Sequence, residues 1–225
     1  MWSRSGLWRI NARRFLRRAG PLLGLQKTDA VLDIGCGPGD LARALAPMVE
    51  VVYAVDTSPR MVARCRARCR DVPNVVVKHL EAEYTDLTRC GRRFSVFLCV
   101  GVVQYYDRIN QVEALIRSAQ RLALPGARML IADWPRRRTP WGRLWDLGGS
   151  LALSVRERDV APLLAAAATH WRSAAEYWRV SRRAGILEVS PDELRALARR
   201  LPWDAAVITA PLSLCAHRPS LLIRW

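Results

Sequence analysis

The amino-acid sequence predicts an α/β fold in which helices cover both faces of a mostly parallel sheet. Short apolar runs alternate with helical patterns between residues 30 and 132, an alternation typical of βαβ units. The chain has 225 residues, and a chain of this length buries about 70% of its unfolded surface. Because the sequence contains neither an internal repeat nor a linker-like stretch, we expect a single domain over residues 1–225.

The chain begins with a basic segment, residues 1–28, that contains no Asp or Glu. Trp8, Ala12, Phe15 and Ala19 follow helical spacing, and most arginines of the segment lie off that stripe. The segment therefore predicts a basic amphipathic helix. We expect it to pack on the domain or to act as a lid; a helix on a membrane surface and an organellar transit peptide are the alternatives.

Five strands and three helices are predicted between residues 30 and 132. The strands are Ala30–Ile34, Val51–Val55, Val75–His79, Phe94–Val100 and Ala127–Ala132. The helices run from the glycine-rich turn through Met48, over Pro59–Arg70 and over Arg108–Leu122, with Pro125-Gly126 closing the last. Right-handed crossovers between parallel strands leave few topologies open.

The alternation stops at Trp134, where we expect a helical insertion over residues 134–185 that carries five of the nine tryptophans. Ser190-Pro191-Asp192-Glu193 then forms a capping box with proline in the first turn, which predicts the start of another helix. Ala205–Thr209 and Ser220–Trp225 read as two final strands, at a spacing that suits an antiparallel edge.

The net charge of +16 has two interpretations. Lys27 and Lys78 are the only lysines, so 34 of the 36 basic residues are arginine. A nucleic acid, an anionic membrane surface or a phosphorylated substrate would fit this charge. An arginine-rich composition that decorates solvated helix faces fits it equally, because the arginines are spread along the whole chain.

Two further features place the chain among cytoplasmic proteins. The longest stretch without a charged residue has 13 residues, and a transmembrane helix needs about 20 apolar ones. The six cysteines are thinly spread, so we expect free thiols in a reducing compartment. Cys65 and Cys69 share a helical face, but a metal needs two more ligands at matching spacing, so we predict no metal site.

The main chemical motif is the glycine-rich turn that joins the first strand to the first helix after it. It reads Val31-Leu32-Asp33-Ile34-Gly35-Cys36-Gly37-Pro38-Gly39-Asp40. Its glycines allow a tight turn and a close approach of the backbone to a ligand. Asp56 ends the next strand, where a carboxylate can accept both hydroxyls of a ribose. The spacing differs from the dinucleotide pattern, so a nucleoside without a pyrophosphate is the predicted ligand.

These residues resemble the class I S-adenosylmethionine-dependent methyltransferases. The similarity rests on the glycine motif and on two further segments, Val55-Asp56-Thr57-Ser58-Pro59 and Leu124-Pro125-Gly126-Ala127-Arg128-Met129-Leu130-Ile131. It covers residues 28–133 well and the final strands weakly. It implies a Rossmann-like, doubly wound, seven-stranded sheet with an antiparallel final strand, the insertion preceding the last two strands. The implied cofactor is S-adenosylmethionine.

The resemblance also assigns cofactor contacts residue by residue. It implies that Asp33 and the backbone of Gly35, Gly37 and Gly39 face the methionine portion, and that Asp56 binds the ribose. It places Thr57 against the adenine and Glu81-Ala82 near the adenine amino group, where the family usually has Asp. It adds Val100, at the start of the segment where the family's substrate meets the methyl group.

The segment Val100-Gly101-Val102-Val103-Gln104-Tyr105 lacks the Asn/Asp-Pro-Pro-aromatic sequence of base-amino methyltransferases and the Pro-Cys of cytosine C5 enzymes. The resemblance therefore favours a small-molecule acceptor, methylated at oxygen. Methylation of RNA or of an anionic lipid remains an alternative. A scaffold that binds S-adenosylmethionine without transferring a methyl group is another.

Several side chains are candidates for the acceptor site. His170 in the insertion, Asp133 at the end of the fifth strand and Tyr105 are the candidate catalytic residues, since each can move a proton. Gln104, Trp134 and Trp141 are the candidate substrate contacts, because aromatic rings and a few polar groups line ligand pockets. For Gln104 and Tyr105 the alternative is packing at the start of a helix, and for Trp141 it is packing within the insertion.

Overall fold

The structure, a computed structural model, describes residues 5–80, 86–135, 187–213 and 218–225. The strands are β1 (Ala30–Ile34), β2 (Val51–Asp56), β3 (Val75–His79), β4 (Phe94–Val100), β5 (Ala123–Ala132), β6 (Asp204–Ile208) and β7 (Ser220–Arg224). The helices are α1 (Ser5–Leu23), α2 (Asp40–Leu45), α3 (Pro59–Cys69), α4 (Ile109–Gln120) and α5 (Pro191–Arg200). Short 3₁₀ turns span Ala46–Met48, Leu87–Cys90 and Val103–Tyr105.

Within the described residues, the seven strands form one sheet in the order β3-β2-β1-β4-β5-β7-β6. Neighbours among β1 to β5 pair in parallel, whereas β7 runs antiparallel to both β5 and β6. The order reverses between β1 and β4, so the carboxyl ends of these two strands flank the crevice where open α/β sheets bind ligands. The predicted fold class is confirmed.

Two apolar clusters cover the two faces of the sheet. One cluster includes residues of α1, α2 and α3, such as Phe15, Leu45 and Cys65. The other includes residues of α4 and α5, such as Leu115 and Leu197. Alternate residues of β1 contribute to opposite clusters, as the two-residue period of a strand requires. Helices on both faces therefore bury β1 along its whole length and most of β4.

The N-terminal helix α1 packs on the domain over its described side chains. Its apolar stripe, which includes Phe15, Leu16, Ala19 and Leu23, is buried in the cluster shared with α2 and α3. Arg18 donates to the carbonyl of Pro211 (2.5 Å), beyond the carboxyl end of β6. No described helix is long and apolar enough to cross a membrane.

The turn predicted at Pro125-Gly126 is wrong in one respect: these residues lie inside β5, and α4 already ends at Gln120. The register of β4 against β5 shifts between Phe94 and Val96, which leaves extra residues bulging from β5. Gly126 accommodates the bulge with a φ of 74°, a backbone conformation that glycine adopts without a Cβ clash. Of the predicted insertion over 134–185, all but Trp134 and Pro135 lie outside the described residues.

Candidate active site

The glycine-rich loop between β1 and α2 is held against the end of β2 by its own backbone. The amides of Gly35 and Cys36 both donate to the carbonyl of Val55 (2.8 and 3.0 Å). Gly35, Gly37 and Gly39 have φ values of 72°, 54° and 86°, which L side chains rarely adopt. Gly35 and Gly37 are half-buried at the carboxyl edge of the sheet, and without a Cβ atom they allow a ligand to approach the backbone closely.

Asp56, the last residue of β2, links this loop to the start of α3. One carboxylate oxygen accepts from the amide of Gly37 (2.9 Å), and the other accepts from the amide of Ser58 (2.9 Å). The two bonds fix the carboxylate while leaving each oxygen a second acceptor position. Both ribose hydroxyls can use those positions, as the sequence predicts.

Thr57 follows Asp56 and is exposed, and its carbonyl lies 3.0 Å from Nε2 of His79. That contact ties the end of β3 to the end of β2, on the side of the site where the adenine is predicted. Glu81 and Ala82, the predicted partners of the adenine amino group, lie outside the described residues.

Asp33 lies in β1 directly before the loop, and its side chain is buried. Its Oδ2 atom is buried and has no hydrogen-bond partner among the described residues. Burial, with a further contribution from the charge of Asp56, raises the pKa of Asp33 to about 7. A cation close to this carboxyl would offset the cost of its ionisation. S-adenosylmethionine carries two cationic groups, an ammonium and a sulfonium, so the buried carboxyl fits that cofactor.

Gly39 ends the loop where α3 approaches most closely. A Cβ atom at this position would lie 2.6 Å from Sγ of Cys65 and 3.1 Å from its Cα. Hydrogen bonds from neighbouring thiols and burial raise the pKa values of Cys65 and Cys69. The hydrogen bond with Cys65 lowers the pKa of Cys36, but burial and the nearby carboxylates outweigh it, so that pKa is also raised. The three buried thiols therefore stay protonated and pack beneath the loop as small apolar side chains.

The segment after β4 turns sharply at Gly101, whose φ is 69° and whose amide donates to the carbonyl of Ala132 (3.0 Å). Val100 is half-buried, and Gln104 is buried with its side-chain amide donating to the carbonyl of Gly101 (2.8 Å). Tyr105 is 56% exposed. The predicted roles of these three residues stay predictions, with Tyr105 the most accessible to an acceptor.

Asp133 follows β5 at the same edge of the sheet and has a φ of 63°. Backbone of this kind in a residue other than glycine costs about 1–3 kcal/mol and is enriched at active sites. Ser213, which is buried after β6, donates to Asp133 Oδ1 (2.6 Å). Burial raises the pKa of Asp133, and the opposing effects of Ser213 and Arg218 are smaller. The result is an oriented carboxylate that can accept a proton.

Sequence reasoning selected Asp133 but missed Ser213 and Arg218. Arg218 precedes β7, and its guanidinium donates to the backbone carbonyl of Asp133 (3.4 Å). The three residues meet because β7 lies beside β5 and β6 lies beside β7. Only that strand order brings them together, and no local pattern in the sequence encodes it.

Trp134 occupies a different environment from the predicted one. Its ring is completely buried in the apolar cluster with α4 and α5, and its indole N–H donates to the carbonyl of Ile131 (3.2 Å). This placement gives Trp134 a packing role, and its contact with an acceptor stays a prediction. Trp141 and His170 lie outside the described residues.

Comparison with known proteins relates most of this site to one family. Residues 31–126 match the family described as "Methyltransferase domain". A demethylmenaquinone methyltransferase of Tropheryma whipplei is 29% identical over 123 residues, which are 54% of this chain and 49% of that protein. A ubiquinone biosynthesis O-methyltransferase of Azorhizobium caulinodans is 30% identical over 120 residues, which are 53% of this chain and 44% of that protein.

Among solved structures, the N-methyltransferase NodS of Bradyrhizobium japonicum aligns with a TM-score of 0.59 at 14% identity. The alignment covers 98% of this chain and 97% of that chain, a likeness that concerns the fold. In contrast, this chain spans about half the length of the curated relatives it matches.

Proposed function

We propose that this chain, which belongs to the class I S-adenosylmethionine-dependent methyltransferase family, transfers a methyl group from S-adenosylmethionine to a small-molecule acceptor. The predicted family agrees with the methyltransferase-domain match over residues 31–126. One observation carries the proposal. The loop of Gly35 to Gly39 is fixed by the Asp56 carboxylate, beside a buried Asp33 oxygen that has no partner among the described residues.

Each of these groups has a defined task. Asp56 accepts the ribose hydroxyls, the loop backbone contacts the methionine portion, and Asp33 faces the cationic groups. When bound, S-adenosylmethionine supplies a methyl group already activated by its sulfonium. The remaining work of this chain is to align the acceptor and exclude water, which is worth about 7–11 kcal/mol in well-oriented reactions.

For the acceptor we propose an oxygen atom, with Asp133 as the general base. A hydroxyl must lose its proton during transfer, and Asp133 has a raised pKa and a fixed orientation, since Ser213 donates to it. A carboxyl whose pKa is raised toward neutrality is a stronger base than an ordinary aspartate. The similarity to a ubiquinone biosynthesis O-methyltransferase of Azorhizobium caulinodans supports this choice.

The test uses methyl-labelled S-adenosylmethionine, the purified protein and an extract of its own source. Small molecules, lipids, RNA and protein are separated, and the label is counted in each fraction. We expect label in the small-molecule fraction, reduced at least about 100-fold by Asp56→Asn, because that change removes an acceptor shared by the loop and the ribose. Asp86→Asn is the control, since Asp86 is exposed, also accepts a backbone amide and is not among the predicted site residues.

The net charge of +16 favours a second candidate, methylation of RNA or of an anionic lipid. Label in one of those fractions would replace the small-molecule proposal. Saturable binding of S-adenosylmethionine without label in any fraction, in extracts from several growth conditions, would instead indicate a scaffold that does not transfer methyl groups. Circular dichroism of both variants separates a lost reaction from a lost fold.

A further inference from the structure

A cavity of about 870 Å³ lies between helices α1, α2 and α3. Its volume is typical of a small-molecule site. It is separate from the glycine-rich loop, except that Asp40, the first residue of α2, borders both. Five arginines from the three helices and the residues that follow them line this cavity, which we call the arginine groove: Arg13, Arg17, Arg43, Arg68 and Arg70.

Two carboxylates also line the arginine groove, and each already has a partner. Asp71 accepts two hydrogen bonds from Arg43 (2.5 and 2.7 Å). Asp40, which is buried, pairs with Arg68. The two ion pairs neutralise two of the five arginines, so the groove keeps a charge of about +3.

Arg13, Arg17 and Arg70 carry this remaining charge. All three are exposed, and none takes part in a salt bridge or side-chain hydrogen bond in the part of the chain that the structure describes. Arg13 and Arg17 are one turn apart on α1, and Arg70 follows α3 on the opposite side. Guanidinium groups that face one recess repel each other, and an anion between them removes that repulsion.

The remaining lining of the groove is apolar. It includes Leu16 of α1, Ala44 of α2 and Met48 of the turn that follows. A planar guanidinium matches phosphate oxygens with two parallel hydrogen bonds, so arginine is the residue suited to such a ligand. The apolar lining suits the uncharged body of an organic phosphate.

We propose that the arginine groove binds a soluble small molecule that carries at least two phosphate groups. The groove adjoins the glycine-rich loop, since the backbone amide of Arg43 donates to the carbonyl of Gly39 (3.0 Å) and Arg68 pairs with Asp40. Arg13, Arg17 and Arg70, which carry the remaining charge, make no side-chain hydrogen bond to the loop or to Asp133 in the described part of the chain, so binding at the groove can be tested apart from methyl transfer. The concave shape favours a soluble ligand over a membrane surface, and the apolar stripe of α1 is buried against the domain rather than available for insertion. The small volume favours a compact anion over a nucleic-acid strand.

The experiment measures binding of inorganic tripolyphosphate to the full chain by calorimetry, without S-adenosylmethionine or acceptor. We expect saturable binding at one site. The double variant Arg13→Gln/Arg17→Gln should raise the Kd about tenfold or more, since it removes two charge-assisted contacts. The variant Arg13→Lys/Arg17→Lys keeps the charge but loses the planar guanidinium groups. Its Kd should lie between that of the wild type and that of Arg13→Gln/Arg17→Gln.

The matched control is Arg121→Gln/Arg199→Gln, which removes the same charge at exposed arginines outside the groove. It should change the Kd by less than about twofold, because charges beyond a Debye length are screened at physiological salt. Equal weakening by the two Gln pairs would mean that net charge alone attracts the anion, and this would overturn the proposal. Absence of saturable binding would overturn it too.

Two further experiments measure binding of the chain to vesicles rich in phosphatidylglycerol and to a single-stranded RNA. If either binds the chain and tripolyphosphate displaces it in the wild type but not in Arg13→Gln/Arg17→Gln, the groove is confirmed as the phosphate site. If either binds while tripolyphosphate does not, the groove belongs to a larger anionic surface and the proposal is wrong. None of these readouts depends on methyl transfer, so the groove and the proposed activity can fail separately.

Discussion

The cofactor side and the acceptor side of the candidate site are built in opposite ways. On the cofactor side, the described contacts join residues close in the sequence: Gly37 and Asp56 are 19 positions apart, and Ser58 is two beyond Asp56. On the acceptor side, Asp133 and Ser213 are 80 positions apart. One βαβ unit therefore specifies the cofactor side, whereas the order of the last strands specifies the acceptor side.

The variant with the largest expected effect, Asp133→Asn, tests the acceptor side. Asp133→Asn removes the proposed base but keeps the size of the side chain and its ability to accept from Ser213. We expect kcat to fall by about 10²–10⁴-fold, which is the usual contribution of a general base. The affinity for S-adenosylmethionine, measured by calorimetry, should stay within about twofold, because the binding contacts lie across the site.

A variant that loses cofactor affinity together with kcat would mean that Asp133 supports the fold of the whole edge rather than the reaction. Asp107→Asn serves as the control, since Asp107 is exposed and its backbone amide, not its carboxylate, donates to the side chain of Gln111. An unchanged kcat in Asp133→Asn would remove the proposed base and favour an acceptor that needs no proton transfer.

The second prediction tests the cofactor side. Gly39→Ala places a Cβ atom against Cys65 at 2.6 Å and also requires a φ of 86°. Overpacking costs about 1–3 kcal/mol and left-handed backbone about 1–2 kcal/mol more. We expect a loss of about 2–5 kcal/mol in the free energy of unfolding, measured by denaturant titration, with cofactor affinity reduced about 100-fold or more.

Gly91→Ala provides the matched control, because Gly91 has a φ of 69° and a Cβ there meets nothing within 4 Å. It should lose only the backbone contribution of about 1–2 kcal/mol and keep its cofactor affinity. Equal losses in the two variants would show that the contact between α3 and the loop contributes little to the site.

The difference between the cofactor side and the acceptor side also explains which parts of the site could be predicted from the sequence. Gly35, Gly37, Gly39 and Asp56 belong to one strand-turn-helix-strand unit, so their spacing alone predicts where they meet. Ser213 could not be predicted as a partner of Asp133, because that contact depends on β7 inserting between β5 and β6. The burial of Trp134 was missed for a similar reason: the apolar cluster around it includes residues of α5, which is distant in sequence.

The third prediction concerns the acceptor side and tests how Ser213 affects Asp133. Ser213→Ala removes the hydrogen bond that lowers the pKa of Asp133, so that pKa should rise further. The acid limb of the pH–rate profile for kcat/KM should then move to higher pH, with a loss of about tenfold at the wild-type optimum. Ser213→Thr keeps the hydroxyl and should restore the profile. A uniform loss without a shift of the limb would indicate a structural role only.

The fourth prediction returns to the cofactor side and concerns Asp33, a residue chosen by sequence whose charge state the fold changes. The pKa of Asp33 is about 7 in the folded chain and 3.8 in its ordinary state. Between these values the folded chain holds a proton that the unfolded chain has lost, so the stability of the protein without cofactor falls as pH rises from about 4 to 7. Asp33→Asn removes this decline, and the variant should be more stable than the wild type above pH 7. Denaturant titrations at pH 5, 6, 7 and 8, with Asp86→Asn as an exposed control, measure the difference.

Saturating S-adenosylmethionine should flatten the dependence of wild-type stability on pH, because a cation beside Asp33 lowers its pKa toward the ordinary value. If cofactor leaves the slope unchanged, Asp33 does not face a cationic group, and the proposed charged contact on the cofactor side is reduced to Asp56.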